Sequence, residues 1–143
     1  MLIGEYTHTL DLKKRVSLPA KFRAVMGKTM ILAKGLDHCI SVYTPKGWKD
    51  VMETLPKSIQ EDPRRYKRHM TSGASDVNLD SLGRILVPDF LKTYAKLKVR
   101  VVLVGVGDHI EIWDEKTWKA YRDKSENSVE MLAEKLGENG FVV

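Results

Sequence analysis

The chain holds one cysteine, Cys39, which excludes a disulfide framework within it and any cysteine-built zinc site. Long apolar runs are missing too. The longest, Val101 to Val106, suits a buried strand and is far too short to span a membrane. The opening Met-Leu-Ile-Gly-Glu-Tyr has neither the basic region nor the apolar stretch of a signal peptide, so the expectation is a cytosolic protein. Also missing are the parts from which active sites are built: a nucleophile with its base, paired carboxylates, a phosphate loop, clustered metal ligands. Gly105-Val-Gly107 lacks the third glycine and following helix of a dinucleotide fingerprint. The four histidines (His8, His38, His69 and His109) are not closely paired, and His38 and His109 fall near hairpin turns, where they read as turn residues and not as metal ligands. Cys39 has no neighbouring histidine and reads as a buried, inert thiol. No enzyme, metal or cofactor is expected.

What the chain does have is positive charge. Its 143 residues, 43% hydrophobic and 30% charged, describe an ordinary globular protein of one average domain or two very small ones. Lys+Arg 24 against Asp+Glu 19 gives +5 and a pI near 9.3, within the range of nucleic-acid-binding domains. The excess is uneven. Residues 1–73 hold 14 basic and 7 acidic side chains, for +7, whereas residues 74–143 hold 10 and 12, for −2.

The sequence also repeats itself. Asp11-Leu-Lys-Lys-Arg15-Val-Ser-Leu-Pro19 returns as Asp80-Ser-Leu-Gly-Arg84-Ile-Leu-Val-Pro88, shifted by 69. Further on the shift is 70, and Gly35, Ile40, Val42, Tyr43, Lys46, Trp48 and Lys49 face Gly105, Ile110, Ile112, Trp113, Lys116, Trp118 and Lys119. A unit of about 70 residues is too long for a solenoid repeat and short for an independent domain. Two halves, 1–73 and 74–143, are therefore expected to share one core.

Each half reads alike. A short alternating strand (Tyr6, His8, Leu10; Val77, Leu79) runs into the Asp-to-Arg turn, and a second follows it (Val16, Leu18; Ile85, Val87). Proline then opens a helix carrying Phe22, Val25 and Met26, or Leu91, Tyr94 and Leu97. Two strands joined by a tight turn come next, Met30 to Lys34 with Cys39 to Tyr43, and Val99 to Val106 with Ile110 to Trp113. A closing helix is capped by Thr44 before Pro45, with Trp48, Val51, Met52 and Leu55 as its stripe; its counterpart is capped by Asp114 and carries Trp118 and Tyr121. Both tryptophans read as core. Two helices stand outside the repeat: a basic one, residues 62–72 ahead of Gly73, and an amphipathic one, Ser128 to Leu136 ahead of Gly137, with Val129, Leu132, Ala133 and Leu136 on one face. The class is α+β, built on a small closed β-structure with peripheral helices.

An aspartate opening a tight loop accepts backbone N–H bonds and can hold a guanidinium in one rotamer. Arg15 and Arg84 are thus expected on pre-organised loops, each supported by Asp11 or Asp80. A guanidinium so held suits a phosphate or the bidentate reading of guanine. Lys13 and Lys14 make the first loop the more cationic; the second has Leu82 and Gly83 at the corresponding places. One such pair would only close a turn, but two at equivalent places point to a paired binding surface.

With Gly4-Glu5-Tyr6 and both Asp-to-Arg segments, nearly the whole chain resembles the MraZ family of bacterial regulators, in the SpoVT/AbrB-like superfamily. The resemblance implies tandem AbrB-like halves forming a pseudo-symmetric swapped-hairpin β-barrel within one chain. It implies a homo-oligomeric ring, double-stranded DNA as partner, and a cytoplasmic, nucleoid-associated regulator. The implied target is a set of short G-rich direct repeats upstream of the cell-division and cell-wall gene cluster, the regulator's own promoter included. Carried over by position, DNA contact falls on Arg15 and Arg84 with Lys13 and Lys14, supported by Asp11 and Asp80. The ring has a physical logic: weak loops multiply by effective concentration, and direct repeats call for head-to-tail subunits.

Neither a membrane nor a small-molecule substrate is expected. The alternative is an AbrB-like antitoxin or a non-catalytic assembly scaffold whose arginines serve protein partners. The run Arg64-Arg65-Tyr66-Lys67-Arg68-His69 is open to two readings: a second DNA patch, or a solvated or subunit-facing helix side with Tyr66 and Met70 turned inward.

Overall fold

The computed structural model describes residues 1–54, 63–140 and 142. The first half contributes β1 (Leu2–Thr9), β2 (Arg15–Ser17), α1 (Ala20–Met26), β3 (Thr29–Lys34), β4 (Ile40–Tyr43), α2 (Pro45–Glu53) and α3 (Pro63–Ser72). The second repeats the order with β5 (Ala74–Asn78), β6 (Arg84–Leu86), α4 (Asp89–Tyr94), β7 (Arg100–Gly107), β8 (Ile110–Asp114), α5 (Glu115–Glu126) and α6 (Val129–Glu138). The α+β class expected from the sequence is the one observed.

The strands interleave. Six form an antiparallel sheet in the order β1-β7-β8-β4-β3-β5, so β1 of the first half pairs with β7 of the second, and β5 of the second with β3 of the first. The other two, β2 and β6, form an antiparallel ribbon. Two pairings reveal the symmetry. Val16 lies opposite Ile85, its own counterpart at a shift of 69, and Ser41 opposite Glu111, its own counterpart at 70. Antiparallel strands pair a residue with its counterpart only where a two-fold axis passes. One pseudo-dyad therefore runs through the centre of the ribbon and the centre of the sheet.

The core lies between them. Val16, Leu18, Ile85 and Val87 come down from the ribbon side, Leu32, Ile40, Val42, Leu103, Ile110 and Ile112 rise from the sheet, and Phe22 and Leu91 close the sides from α1 and α4. The sheet's other face carries a smaller cluster of Cys39, Val102, Val104 and Trp113, with Trp118 of α5 packed on it. Consecutive residues Val101 to Val104 are buried because both faces of β7 are covered.

Several sequence expectations change. Trp48 and Trp118 are half-buried lids and not core: Trp48 leans on Tyr43, ring centres 5.8 Å apart, and Trp118 Nε1 donates to Glu5 Oε2 at 2.8 Å. Thr44 caps α2 by accepting from Gly47 N at 3.0 Å, but the Asp114 carboxylate turns away from α5 and accepts from Lys98 N at 3.1 Å. Met70 is buried, whereas Tyr66 is 45% exposed, because α3 docks through its last turn. Val25 is exposed as well. Helix α6 runs through Gly137 to Glu138 and buries none of its side chains. Each of α3 and α6 follows the closing helix of its half, but α3 docks beside β3 through Met70 whereas α6 buries nothing. Leu55 and Asp62 lie outside the described residues.

The glycine match also shifts by one residue. Gly35 N donates to Cys39 O at 2.8 Å, and the equivalent bond runs from Val106 N to His109 O, so Val106 is the structural counterpart of Gly35. Gly105 has a separate duty. It lies opposite Gly4, and a Cβ there would come within 2.5 Å of the Leu2 and Ile3 backbone. Glycine lets β1 cross the sheet edge at this point. Gly105→Ala should lower unfolding stability by about 1–3 kcal/mol, the usual cost of overpacking, with a lower urea midpoint. An unchanged midpoint would contradict so close an approach.

Candidate nucleic-acid interface

Both Asp-to-Arg segments fold into the same clamp. In the first, Asp11 Oδ1 accepts from Lys13 N at 2.9 Å and Arg15 N at 2.8 Å, while Oδ2 accepts from Arg15 Nε at 2.9 Å. In the second, Asp80 Oδ1 accepts from Leu82 N and Arg84 N, both at 2.9 Å, and Oδ2 from Arg84 Nε at 2.8 Å. Backbone bonds close each loop on itself: Asp11 N to Arg15 O at 3.0 Å and Lys14 N to Asp11 O at 2.9 Å, then Asp80 N to Arg84 O at 2.9 Å and Gly83 N to Asp80 O at 3.1 Å. One carboxylate thus satisfies two amides and one guanidinium, which fixes loop and arginine together. Those N–H donors, the Arg15 or Arg84 amide foremost, hold both aspartates below the usual carboxylate range.

The third loop position bends left-handed in both clamps, with φ 62° at Lys14 and 75° at Gly83. Lysine pays a strain there that glycine does not. At Gly83 a Cβ would also meet the tip of the Arg23 side chain at 2.3 Å, so a larger residue there would push that guanidinium aside. Arg23, on α1, reaches across to donate to Leu18 O at 3.1 Å.

The ribbon aligns the clamps. Leu18 N donates to Gly83 O at 3.0 Å, and Val87 N donates to Lys14 O at 2.8 Å, so each loop is tied to the far strand end of the other half. Val16 and Ile85 point into the core; by strand alternation Arg15, Ser17, Arg84 and Leu86 share the outer face. Arg15 sits opposite Leu86, and Arg84 opposite Ser17. The two guanidiniums therefore lie on one surface, on either side of the pseudo-dyad. A two-stranded ribbon is one of the shapes a major groove admits.

The lysines behave differently from each other. Lys13 is exposed and has no ion pair among the described residues. Lys14 is paired with Asp89 at the start of α4, which draws part of its charge back into the protein. The second loop, which lacks lysines, borders a cleft lined by Arg23, Lys28, Leu79 and residues 80–83. Arg23 and Lys28 restore there the positive charge that the loop itself lacks. The sequence reading missed both, along with the Lys14–Asp89 pair, because Arg23 on α1, Lys28 in the turn after it and Asp89 on α4 are distant in sequence from the loops they approach. The proline that opens each helix was the available signal: it starts α1 and α4 directly beside the ribbon.

The other singled-out residues stay away from this surface. His38 packs on Tyr94, ring centres 4.9 Å apart; His109 stacks on Tyr43 at 4.7 Å and bonds Asp108 at 2.6 Å. Cys39 is fully buried, and burial raises its thiol pKa strongly. Among the described residues no group of three or more His, Cys, Asp or Glu side chains could hold a metal, and no helix is long and apolar enough to cross a membrane.

Known proteins resemble this chain along nearly its whole length. The family model described as "MraZ protein, putative antitoxin-like" matches twice, over residues 1–69 and 70–139. The Carboxydothermus hydrogenoformans protein named "Transcriptional regulator MraZ" is 43% identical over 95% of this chain and 96% of its own length. Proteins of the same name from Caldicellulosiruptor saccharolyticus and Alkaliphilus oremlandii are 43% and 41% identical, each over 99% of this chain and all of their own.

The clamps carry a pH signature. Because both carboxylates titrate below the usual value, the clamp is complete above about pH 5 and weakens as pH falls past the unperturbed aspartate value of about 3.9. At pH 7, where a free guanidinium N–H exchanges quickly with water, NMR should show slowly exchanging Arg15 and Arg84 Nε–H signals, and acid that protonates the aspartates should move both toward the free-arginine position. Asp11→Asn should remove the Arg15 signal alone. Two signals indifferent to that substitution would contradict the clamp.

Proposed function

This chain belongs to the MraZ family, and we propose that it is a non-enzymatic transcription regulator that binds duplex DNA through its two Asp–Arg clamps. The observation that carries the reading is the duplication of one rigid guanidinium mount across the pseudo-dyad, on the outer face of a ribbon. Arg15 and Arg84 read base edges, with guanine O6 and N7 as the matching bidentate acceptors. Asp11 and Asp80 hold them and touch no DNA. Lys13 contacts phosphate beside the first loop, with Lys14 in support through Asp89. Arg23 and Lys28 take the same part beside the second. Such contacts position the protein while base contacts specify the sequence.

The target in this reading is a set of short G-rich direct repeats upstream of the cell-division and cell-wall genes, its own promoter included. Identical subunits in a head-to-tail ring, each with halves divided after Gly73, would engage successive repeats and gain affinity from effective concentration. The setting is the cytoplasm and nucleoid.

Fluorescence anisotropy with the upstream duplex tests this, beside a scrambled duplex and across a salt series. Arg15→Ala and Arg84→Ala should each weaken specific binding by about 1–3 kcal/mol, roughly 5- to 150-fold, with the fold intact. Lys13→Ala should weaken both duplexes and reduce the salt slope by about one. Weak, equal and steeply salt-dependent binding to both duplexes would sink the reading. It would favour the antitoxin or scaffold alternative.

A further inference from the structure

The ribbon's outer face is unequal at one position. Each arginine has a cross-strand neighbour there: Leu86 for Arg15, Ser17 for Arg84. Leu86 and Ser17 are themselves counterparts at the shift of 69. The same place in the repeat thus holds an aliphatic side chain in one half and a hydroxyl in the other. Leu86 is 53% exposed, while Ile85 and Val87 on either side of it fill the core. Because the first half folds with serine at this place, the fold does not require leucine here.

The register sets the spacing. Bonds from Leu18 N to Gly83 O and from Val87 N to Lys14 O mark hydrogen-bonded positions on either side of the pseudo-dyad. By alternation, Arg15–Leu86 and Ser17–Arg84 are the non-hydrogen-bonded pairs, in which facing side chains lie closest. Their Cβ atoms are then about 4.5–5.5 Å apart. Successive base pairs rise about 3.4 Å along a duplex. A side chain so close to Arg15 therefore meets the base pair next to the one Arg15 reads and falls short of the one beyond. In a major groove, the apolar feature that a base edge offers is the C5-methyl group of thymine.

We propose that Leu86 is a specificity-determining residue, packing on the thymine methyl of the base pair that adjoins the guanine read by Arg15. The inference rests on the proposed reading of guanine by Arg15 and adds the identity of its neighbour. Beside Arg84, Ser17 offers a hydroxyl and no comparable apolar surface, so thymine is not preferred on that side. The two mounts then read different words: thymine with guanine at one, guanine with an open neighbour at the other. Leu12 and Leu82 are exposed as well, at 103% and 67%, but they stand in the loops ahead of the arginines, outside the ribbon's register.

Deleting one methyl group tests it. In the upstream duplex each thymine adjoining a guanine is replaced in turn by deoxyuridine, which removes the C5-methyl and leaves the base pairing unchanged, and affinity is read by anisotropy. For wild type, one such position in a repeat should cost roughly three- to fivefold, the loss expected for one buried methyl. Leu86→Ser, a change to the residue that the other half carries at this place, should bind the thymine duplex more weakly by that factor and no longer distinguish thymine from uracil. Ser17→Leu should gain a uridine-sensitive position beside the guanine read by Arg84. Arg15→Ala is measured in parallel. If it weakens binding while wild type ignores every uridine, or while Leu86→Ser keeps the full uridine penalty, the role of Leu86 is overturned and the clamp stands. Unchanged binding by Arg15→Ala would overturn both.

Discussion

Everything in this molecule depends on one constraint: neither half can complete its own sheet. The first half keeps β3 and β4 but lends β1 to the second, and receives β5 in return. The exchange obliges β2 and β6 to meet at the pseudo-dyad, and Val16 and Ile85 meet there face to face above a shared core. Burial of that pair sets the strand register, because a slip of one residue would turn the arginines inward and the valine and isoleucine out. The fold thus decides which way Arg15 and Arg84 point.

The carboxylates then decide how firmly. A free arginine loses much rotamer freedom on binding; one already held by Asp11 or Asp80 has lost part of it beforehand. The pre-organisation resides in backbone amides as well as in the ion pair, so it does not rest on a solvent-screened salt bridge alone. The halves are nevertheless unequal. Lys14 is tied to Asp89, whereas Gly83 makes room for Arg23; Arg15 faces Leu86, whereas Arg84 faces Ser17. Such a pair of mounts presents similar arginines in different surroundings, which fits an asymmetric base sequence better than a perfect palindrome.

Much of this could be read before any coordinates. The duplicated D-x-x-x-R frame and the apolar alternation after it revealed the clamps, the ribbon strands and the proline-led helices, because those features are local and repeat. The interchange of strands came from the family resemblance; no local pattern states which half a strand pairs with. The misjudged residues share a cause. Trp48, Trp118 and Tyr66 lie on apolar helix stripes, but helical periodicity gives a face and not how deeply it sinks, and these helices lie against β3, β4, β7 and β8 with their flanks open to solvent. Gly35 and Gly105 align in sequence although the turn geometry pairs Gly35 with Val106. Arg23 and Lys28 could not be tied to the second loop from the sequence, since the approach is set by tertiary packing.

The central claim is that two carboxylate-held arginines on one ribbon face read the same stretch of duplex. A structure of the protein bound to its upstream repeats tests this most directly. The account predicts the ribbon's outer face against the major groove, with Arg15 and Arg84 on guanine edges and their bonds to Asp11 and Asp80 intact. A complex in which the clamps open, or in which DNA lies against another surface with both arginines in solvent, would contradict it.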